Sequence, residues 1–400
     1  MFAPALLVAC ATTSRGAPAT PSPEEYLPTP LGTSSNTGSS GESPIRWGYD
    51  PRENNGEVDP PAHYEGLPAG YRIETYVTGL IHPTAIAFTA DGRMLVAEQA
   101  GAVRVVKDGV LQREPFFDVP AYTTAGPEGF SELGLDGMTV GPDGSVYVYY
   151  SADQPRRRTV LARIRDDGGH GTDLTEIFSL NAPPKQCCHI AGSLRFAPDG
   201  TLFVMVGDHQ QETEAQNIRG PYGGVLRINP DGSAPADNPF AGVRNADARR
   251  YAYGLRNPFD IAIDPLTGRV FATENGFVGQ DAVIELKPGA DYGWPGSELA
   301  VPLSQIEPPL LFYNQTIGPS GMEFYRGKAL PWLDGSLLFC QFHRGGALHR
   351  VTFAANGSVA DDTLIGTGCT SDVLTGTDGF VYFVDYLSGT VYRIARGEGS

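Results

Sequence analysis

One short phrase recurs along this chain: a turn built on Asp-Gly, followed at once by an alternating apolar run. Asp-Gly supplies the positive φ that a tight hairpin needs, and the period of two gives the strand one face for packing. Repetition of such a unit at intervals of about 45 to 70 residues is typical of a β-propeller, in which each unit supplies one blade. Three copies are clear and three are weaker: Phe88–Ala97, Val140–Tyr149 and Phe196–Met205, then Ile263–Ala272, Leu333–Phe339 and Thr377–Phe383.

Composition favours the same fold class. The 400 residues include 50 glycines and 33 prolines, which suits many turns and few helices, and no long stretch shows helical periodicity. We therefore predict an all-β chain, folded over residues 64–398 as a six-bladed β-propeller of four-stranded antiparallel blades. In such a fold the connections between strands line one end of the central channel, so candidate functional residues belong there rather than in the strands.

The N-terminal 61 residues look different from the rest. Residues 1–10 end in Leu-Val-Ala-Cys and resemble a truncated lipoprotein-type signal with Cys10 as lipid anchor, although a chance match stays open. Residues 11–61 are rich in Ser, Thr, Pro and Gly, which predicts a flexible tether. We expect an extracytoplasmic protein, periplasmic or at the cell surface, with no membrane contact besides this anchor. The net charge of −17 argues against nucleic acid as a partner.

Four cysteines remain after Cys10. Cys187 and Cys188 are adjacent, so in an oxidising compartment they either close a vicinal disulfide or stay as two reduced neighbours. Cys340 and Cys369 fall in the last two predicted blades, and spacing alone does not decide whether they pair.

Several polar connections precede the strands that lead into the Asp-Gly turns, so we expect them to converge on one mouth of the channel. A histidine in such a loop is suited to general base catalysis, because its ordinary pKa lies near neutral pH, but it is most often only a hydrogen-bonding residue. An Arg-Asn-Pro sequence is equally compatible with a simple turn. The connections are Glu128–Met138, Cys187–Phe196, Tyr253–Asp260 with Thr273–Gly276 and Tyr292–Pro295, and Gly318–Phe324.

An ordered set of motifs in these regions resembles the soluble quinoprotein sugar dehydrogenases, the glucose/sorbosone dehydrogenase family. Members of that family are six-bladed propellers that bind pyrroloquinoline quinone (PQQ) and calcium. The resemblance extends over residues 71–397, nearly the whole folded part. The motifs are Gly134–Met138, His189–Leu194, Leu226–Gly232 with Ala236–Phe240, Tyr253–Pro258 and Asp291–Pro295.

The resemblance implies a role for each matching residue. His189 would take the proton of the sugar anomeric hydroxyl while hydride moves to the quinone, and Arg256 would stabilise the negative charge that develops there. Glu132 would lie beside the sugar. Further cofactor contacts would come from Asn257, Thr316, His343 and Arg344. The ligands of one calcium ion would be the carbonyls of Gly276 and Phe277. A second calcium site would include Asp281 and the carbonyl of Tyr292. We expect this second site to be weak or absent, because Ala282 replaces the glutamate that would complete it.

The chain departs from the family pattern in three places. Cys369 and Ser371 stand where the family has basic residues that pair with quinone carboxylates, which weakens the expected PQQ site. Cys188 stands where the family often has an acid that orients the catalytic imidazole, so we expect His189 to be a poorer base.

Two functions of different class follow. The first is a dehydrogenase that oxidises an aldose sugar or related alcohol with PQQ and calcium and passes electrons to an unknown acceptor. The second is a propeller without PQQ that binds carbohydrate, or that hydrolyses a lactone-like substrate with a channel metal held by Glu132, Asn257 and Asp372.

Overall fold

The computed structural model describes residues 63–124, 131–183, 186–277, 280–295, 305–343 and 345–397. The predicted signal and tether lie outside these residues.

The described part contains 26 strands and the short 3-10 helices Glu212–Gln216 and Pro331–Leu333. In chain order the strands are β1 (His63–Tyr64), β2 (Tyr71–Val77), β3 (Pro83–Phe88), β4 (Met94–Glu98), β5 (Ala102–Lys107), β6 (Val110–Leu111), β7 (Phe117–Asp118), β8 (Leu135–Val140), β9 (Val146–Ala152), β10 (Arg158–Asp166), β11 (Gly171–Asn181), β12 (Ala191–Phe196), β13 (Leu202–Val206), β14 (Gly224–Ile228), β15 (Arg250–Tyr253), β16 (Pro258–Ile263), β17 (Val270–Glu274), β18 (Asp281–Leu286), β19 (Leu311–Tyr313), β20 (Pro319–Tyr325), β21 (Ser336–Gln341), β22 (Ala347–Phe353), β23 (Val359–Thr367), β24 (Val373–Thr375), β25 (Val381–Asp385) and β26 (Thr390–Arg396).

The strands form six sheets within the described residues, and each sheet is one blade. Blades 1 to 5 are antiparallel meanders that begin at β3, β8, β12, β16 and β20, and β1 adds to the outer edge of blade 5 in parallel. Blade 6 combines β24, β25 and β26 with β2 from the start of the domain, so the first and last strands of the propeller pair with each other. The prediction of an all-β, six-bladed propeller is confirmed.

Hydrophobic packing explains why the central strands of the blades are apolar on both faces. Strands such as β4 and β13 are buried at every residue, because each blade packs face to face between two others. Six apolar clusters fill the six gaps between neighbouring blades, including the gap that joins blade 6 to blade 1. Burial of these faces supplies the main stabilisation of the ring.

The innermost strands of five blades carry a register shift near their first residues, at Pro83/Ala85, Leu135/Gly137, Ala191/Leu194, Pro258/Ile261 and Pro319/Met322. A bulge of this kind re-aims one side chain, and here it turns polar residues into the channel.

Most of these polar residues bond to the inner strand of a neighbouring blade, and we call them the latch residues. Thr84 Oγ1 donates to the Leu135 carbonyl at 2.7 Å, and Ser320 Oγ donates to the Thr370 carbonyl at 2.9 Å. Two carboxylates act in the same way from the acceptor side. Asp260 accepts from the Met322 N–H at 2.5 Å and from Ser193 Oγ, and Asp372 accepts from the Ile86 N–H at 2.7 Å. The latch residues therefore tie blades 1 to 2, 3 to 4, 4 to 5, 5 to 6 and 6 to 1.

Both cysteine pairs are joined as disulfides. Cys187 pairs with Cys188, and Cys340 in β21 pairs with Cys369 in the connection before β24. Cys340 and Cys369 are fully buried, so their bond lies in the core between blades 5 and 6. Among the described residues, no helix has the length and apolarity needed to cross a membrane.

Candidate active site

The polar connections meet in a cavity of about 550 Å³ at one mouth of the channel. This volume is in the range of small-molecule and cofactor sites. The convergence expected from the sequence is thus present. Lining residues with candidate roles are Glu132, His189, Arg256, Asn257, Gly276, Asp281, Thr316 and His343.

His189 is held by a buried carboxylate. Its Nδ1 lies 2.7 Å from Oδ1 of Asp208, and the indole N–H of Trp294 donates to the other oxygen of Asp208 at 2.9 Å. Asp208 is fully buried, while the side chain of His189 keeps 12% exposure on the cavity side. A carboxylate can only accept, so in the neutral form of the imidazole the hydrogen is on Nδ1 and Nε2 keeps its lone pair. The arrangement is that of an oriented general base.

Close backbone approach fixes the position of this imidazole. His189 has φ of 59°, and its carbonyl passes so near Gly207 that a Cβ there would lie 2.0 Å from the oxygen. Gly207 lies between the end of β13 and Asp208, and its lack of a side chain lets the two segments touch.

The Arg256–Asn257 turn is held by a second buried carboxylate. Glu274 accepts from the backbone N–H of Arg256 at 2.7 Å and from that of Asn257 at 3.0 Å. Burial raises the pKa of Glu274 to about 8, although the two N–H donors and the Arg256 charge oppose the rise. The Arg256 guanidinium donates to the carbonyls of Asn275 and Gly276 at 3.1 and 2.9 Å, and it lies 5.8 Å from the centre of the Trp294 ring.

Glu132 connects the two halves of the site. One carboxylate oxygen accepts from the Ile190 N–H at 3.0 Å, and the side-chain amide of Asn257 lies 3.3 Å from the same oxygen. Asn257 is 2% exposed, and its Oδ1 has no hydrogen-bond partner. A ligand that donates a hydrogen bond to this buried acceptor would remove the free-energy cost of leaving it without a partner.

The family model described as Glucose / Sorbosone dehydrogenase matches residues 80–393, which is most of the described chain. The chain belongs to the glucose/sorbosone dehydrogenase family.

Relatives support this family membership. An uncharacterized protein of Synechocystis sp. is 32% identical over 80% of this chain and 85% of its own length. Aldose sugar dehydrogenase YliI of Escherichia coli is 28% identical over 82% of this chain and 94% of its own, and quinoprotein glucose dehydrogenase B of Acinetobacter calcoaceticus is 26% identical over 55% and 51%. The apo crystal structure of the soluble E. coli aldose sugar dehydrogenase superposes with a TM-score of 0.71 at 26% identity, covering 82% of this chain and 100% of that one.

Within this family member, the expectation that His189 lacks an orienting acid is wrong. The acid comes from Asp208 after β13 and not from the residue before the histidine. Sequence analysis missed both Asp208 and Glu274 as positioning residues. Each is an acid at or just after the end of the second strand of a blade, and that position is the signal that could have found them.

Of the residues implied as calcium ligands, some line the cavity and others have side chains that bond or stack elsewhere. Gly276 lines the cavity, whereas Phe277 stacks on Trp294 with ring centres 6.3 Å apart. Asp281 is 2% exposed and accepts from the N–H groups of Ile317 and Gly318, both at 2.8 Å. Tyr292 is buried, and its hydroxyl donates to the Glu285 carbonyl. No cluster of three or more His, Cys, Asp or Glu suited to a metal occurs in the described part of the chain.

The residues implied as further cofactor contacts lie at the cavity rim or outside the description. Thr316 and His343 are exposed residues of the rim, and Arg344 lies outside the described residues. Ser371 lines the cavity and donates to the Pro83 carbonyl at 2.9 Å. Cys369 is fully buried in its disulfide, so it faces the core instead of a ligand.

Proposed function

We propose that this sugar dehydrogenase-type propeller oxidises the anomeric hydroxyl of an aldose sugar, or a related alcohol, with PQQ as hydride acceptor. The observation that carries the proposal is the His189–Asp208 pair, which places an oriented base in the same cavity as Arg256 and Asn257. The aldose sugar dehydrogenase relative supports the proposed substrate class, and the quinoprotein relative supports the proposed cofactor.

His189 removes the hydroxyl proton of the sugar at Nε2. The Nδ1–H bond to Asp208 keeps the ring in the required tautomer and stabilises the imidazolium that forms. Glu132 orients the sugar by accepting from its hydroxyl groups, and the Asn257 amide in turn orients Glu132.

The chemistry that bound PQQ supplies is acceptance of the hydride. Arg256 offers a positive charge at the place where negative charge then develops, and the unpaired Oδ1 of Asn257 offers an acceptor. The cavity is large enough for a tricyclic quinone, and Thr316, His343 and Ser371 provide polar contacts around its rim. Calcium would be held by the carbonyls of Gly276 and Phe277 and would supply positive charge beside the cofactor. Among the described residues, no cluster of acids, histidines or cysteines offers a side-chain metal site.

A reconstitution experiment tests the proposal. The purified protein is incubated with PQQ and Ca²⁺, and bound-quinone absorbance and dye reduction are measured with a panel of aldoses. We expect saturable PQQ binding and aldose-dependent dye reduction. His189→Ala should retain PQQ and lose turnover. Absence of binding at micromolar PQQ would refute the assignment.

The hydrolase alternative is less well supported. Its metal would need Glu132, Asn257 and Asp372 together, and only Glu132 and Asn257 are in contact. Both oxygens of Asp372 accept from backbone N–H groups, those of Ile86 and Val373. We also propose an extracytoplasmic location, which the two disulfides favour because such bonds persist in oxidising compartments.

A further inference from the structure

Asp136 lies where the cavity meets the interior of the channel. It is the second residue of β8, at the bulge of blade 2. It lines both the mouth cavity and a smaller space of about 200 Å³ in the channel beneath. Thr84, Phe259 and Ser371 also border both spaces, so Asp136 stands at the junction of the two.

Unlike the latch residues, Asp136 has a carboxylate oxygen without a partner. Oδ2 is buried and makes no hydrogen bond, whereas Asp260 and Asp372 each accept from a backbone N–H group of another blade with one oxygen. The next blade presents Gly192 here, where a Cβ would lie 3.1 Å from the Cβ of Asp136. A buried carboxyl oxygen without a partner costs stability, so a role in holding the blades together does not account for Oδ2 of Asp136.

The surroundings of Asp136 keep it in the acid form. Burial raises its pKa well above the ordinary 3.8, and the charge of Glu132 raises it further. The hydroxyls of Tyr149 and Tyr386 also face it, and their pKa values are raised mainly by burial. Further titratable or charged groups that line the two spaces are Arg195, Asp260, Asp372, Glu132 and His189. Burial and the neighbouring charge therefore both favour the acid form of Asp136, which holds a proton that can be transferred.

The proposed reaction creates a need for such a group, and the inference rests on that proposed function. His189 gains one proton in every turnover and must lose it before the next. The space beneath is polar, with Thr84, Asp260 and Asp372 in its wall. At about 30 Å³ for each water, it has room for roughly six molecules.

We propose that Asp136 is a proton-relay residue that connects the mouth cavity to the channel. The proton leaves Nε2 of the His189 imidazolium through cavity water and binds one oxygen of Asp136. Rotation of the carboxyl group, whose Oδ2 is out of contact with solvent in the structure, then lets Asp136 release one proton to water in the channel. One proton enters and one leaves, so Asp136 is neutral before and after the transfer, and His189 returns to its neutral form.

The first test needs no cofactor. Infrared difference spectra of the wild-type protein minus Asp136→Asn, at neutral pH and without PQQ, should show the C=O stretch of one protonated carboxyl. The band should shift in D₂O. Absence of that band would show that Asp136 is ionised and would overturn the relay.

The second test uses the protein reconstituted with PQQ and Ca²⁺. Asp136→Asn removes the exchangeable proton but keeps the shape, so kcat should fall by about 10-fold to 100-fold with KM and PQQ affinity nearly unchanged. The solvent isotope effect on kcat should rise, because proton release becomes rate-limiting. Asp136→Glu should recover part of kcat. Thr139→Val is the matched control, since Thr139 lies on the same strand and lines the same channel space.

The outcomes separate the relay from the proposed function. If the wild-type protein turns over and Asp136→Asn has the same kcat, pH profile and isotope effect, the relay is refuted and the proposed function stands. A wild-type protein that neither binds PQQ nor reduces dye removes the proposed function and the relay with it. If Asp136→Asn loses PQQ affinity, or if its KM rises as strongly as its kcat falls, Asp136 acts in ligand binding. That result would overturn the relay.

Discussion

At the scale of single residues, the site depends on two buried acidic side chains that hold other site residues in place. Asp208 orients His189, and Glu274 holds the backbone of Arg256 and Asn257. The sequence motifs pointed to His189, Arg256 and Asn257 because these types suit the chemistry. They did not point to Asp208 or Glu274, because such acids act through contacts that only the folded chain creates.

Asp208→Asn should leave PQQ bound and strongly lower turnover. The amide can donate to Nδ1, which favours the tautomer with the hydrogen on Nε2 and so removes the base. A loss of kcat of about 100-fold or more is expected, with a small change in KM. Steady-state kinetics over a range of pH measures this, and His189→Ala provides the reference for complete loss. A variant with wild-type kcat would contradict the role of Asp208.

Glu274→Gln should change how stability depends on pH. The folded pKa of about 8 is above the ordinary 4.5, so between these values the folded protein holds a proton that the unfolded chain has lost. Stability from this group is therefore complete below pH 4.5 and declines as pH rises toward 8. The glutamine variant lacks this decline, so its melting temperature relative to wild type should increase between pH 5 and pH 8. Parallel melting curves across that range would show that Glu274 is ionised when folded.

At the scale of strands and blades, the Asp-Gly repeat predicted the architecture because the turn and the alternating strand are local properties. The order of the connections also predicted that they meet at one mouth. The latch residues were not predictable in this way, since a bulge at the start of an inner strand depends on how neighbouring blades pack. The same reason explains why Asp372, considered as a metal ligand from sequence, is instead bound to Ile86 and Val373.

Asp260→Ala tests the latches at this scale. Asp260 accepts from Ser193 in blade 3, from Met322 in blade 5 and from its neighbour Ile261. Removal leaves two buried N–H groups without acceptors, so unfolding free energy should fall by about 2–5 kcal/mol. Chemical denaturation measures it, with Asp231→Ala in an exposed Asp-Gly turn as the control. A loss below about 0.5 kcal/mol, the range of ordinary surface changes, would show that the latch contributes little.

At the scale of the whole molecule, six blades close into a ring through the pairing of β2 with β26. The family match spans this ring, from residue 80 to residue 393. The fold alone would serve an enzyme or a binding protein equally well. The cavity residues favour an enzyme because they combine an oriented base, His189, with a cation, Arg256, although Ser371 offers no charge to a quinone carboxylate.

The most direct test of this account is a single turnover without oxygen or dye. Protein loaded with PQQ and Ca²⁺ is mixed with an aldose, and the absorbance of the bound quinone is followed in the wild type and in His189→Ala. The account predicts rapid, stoichiometric reduction in the wild type and reduction slowed by about 100-fold or more in the variant, with equal PQQ loading. Bound PQQ that no aldose reduces, or equal rates in the two proteins, would contradict it.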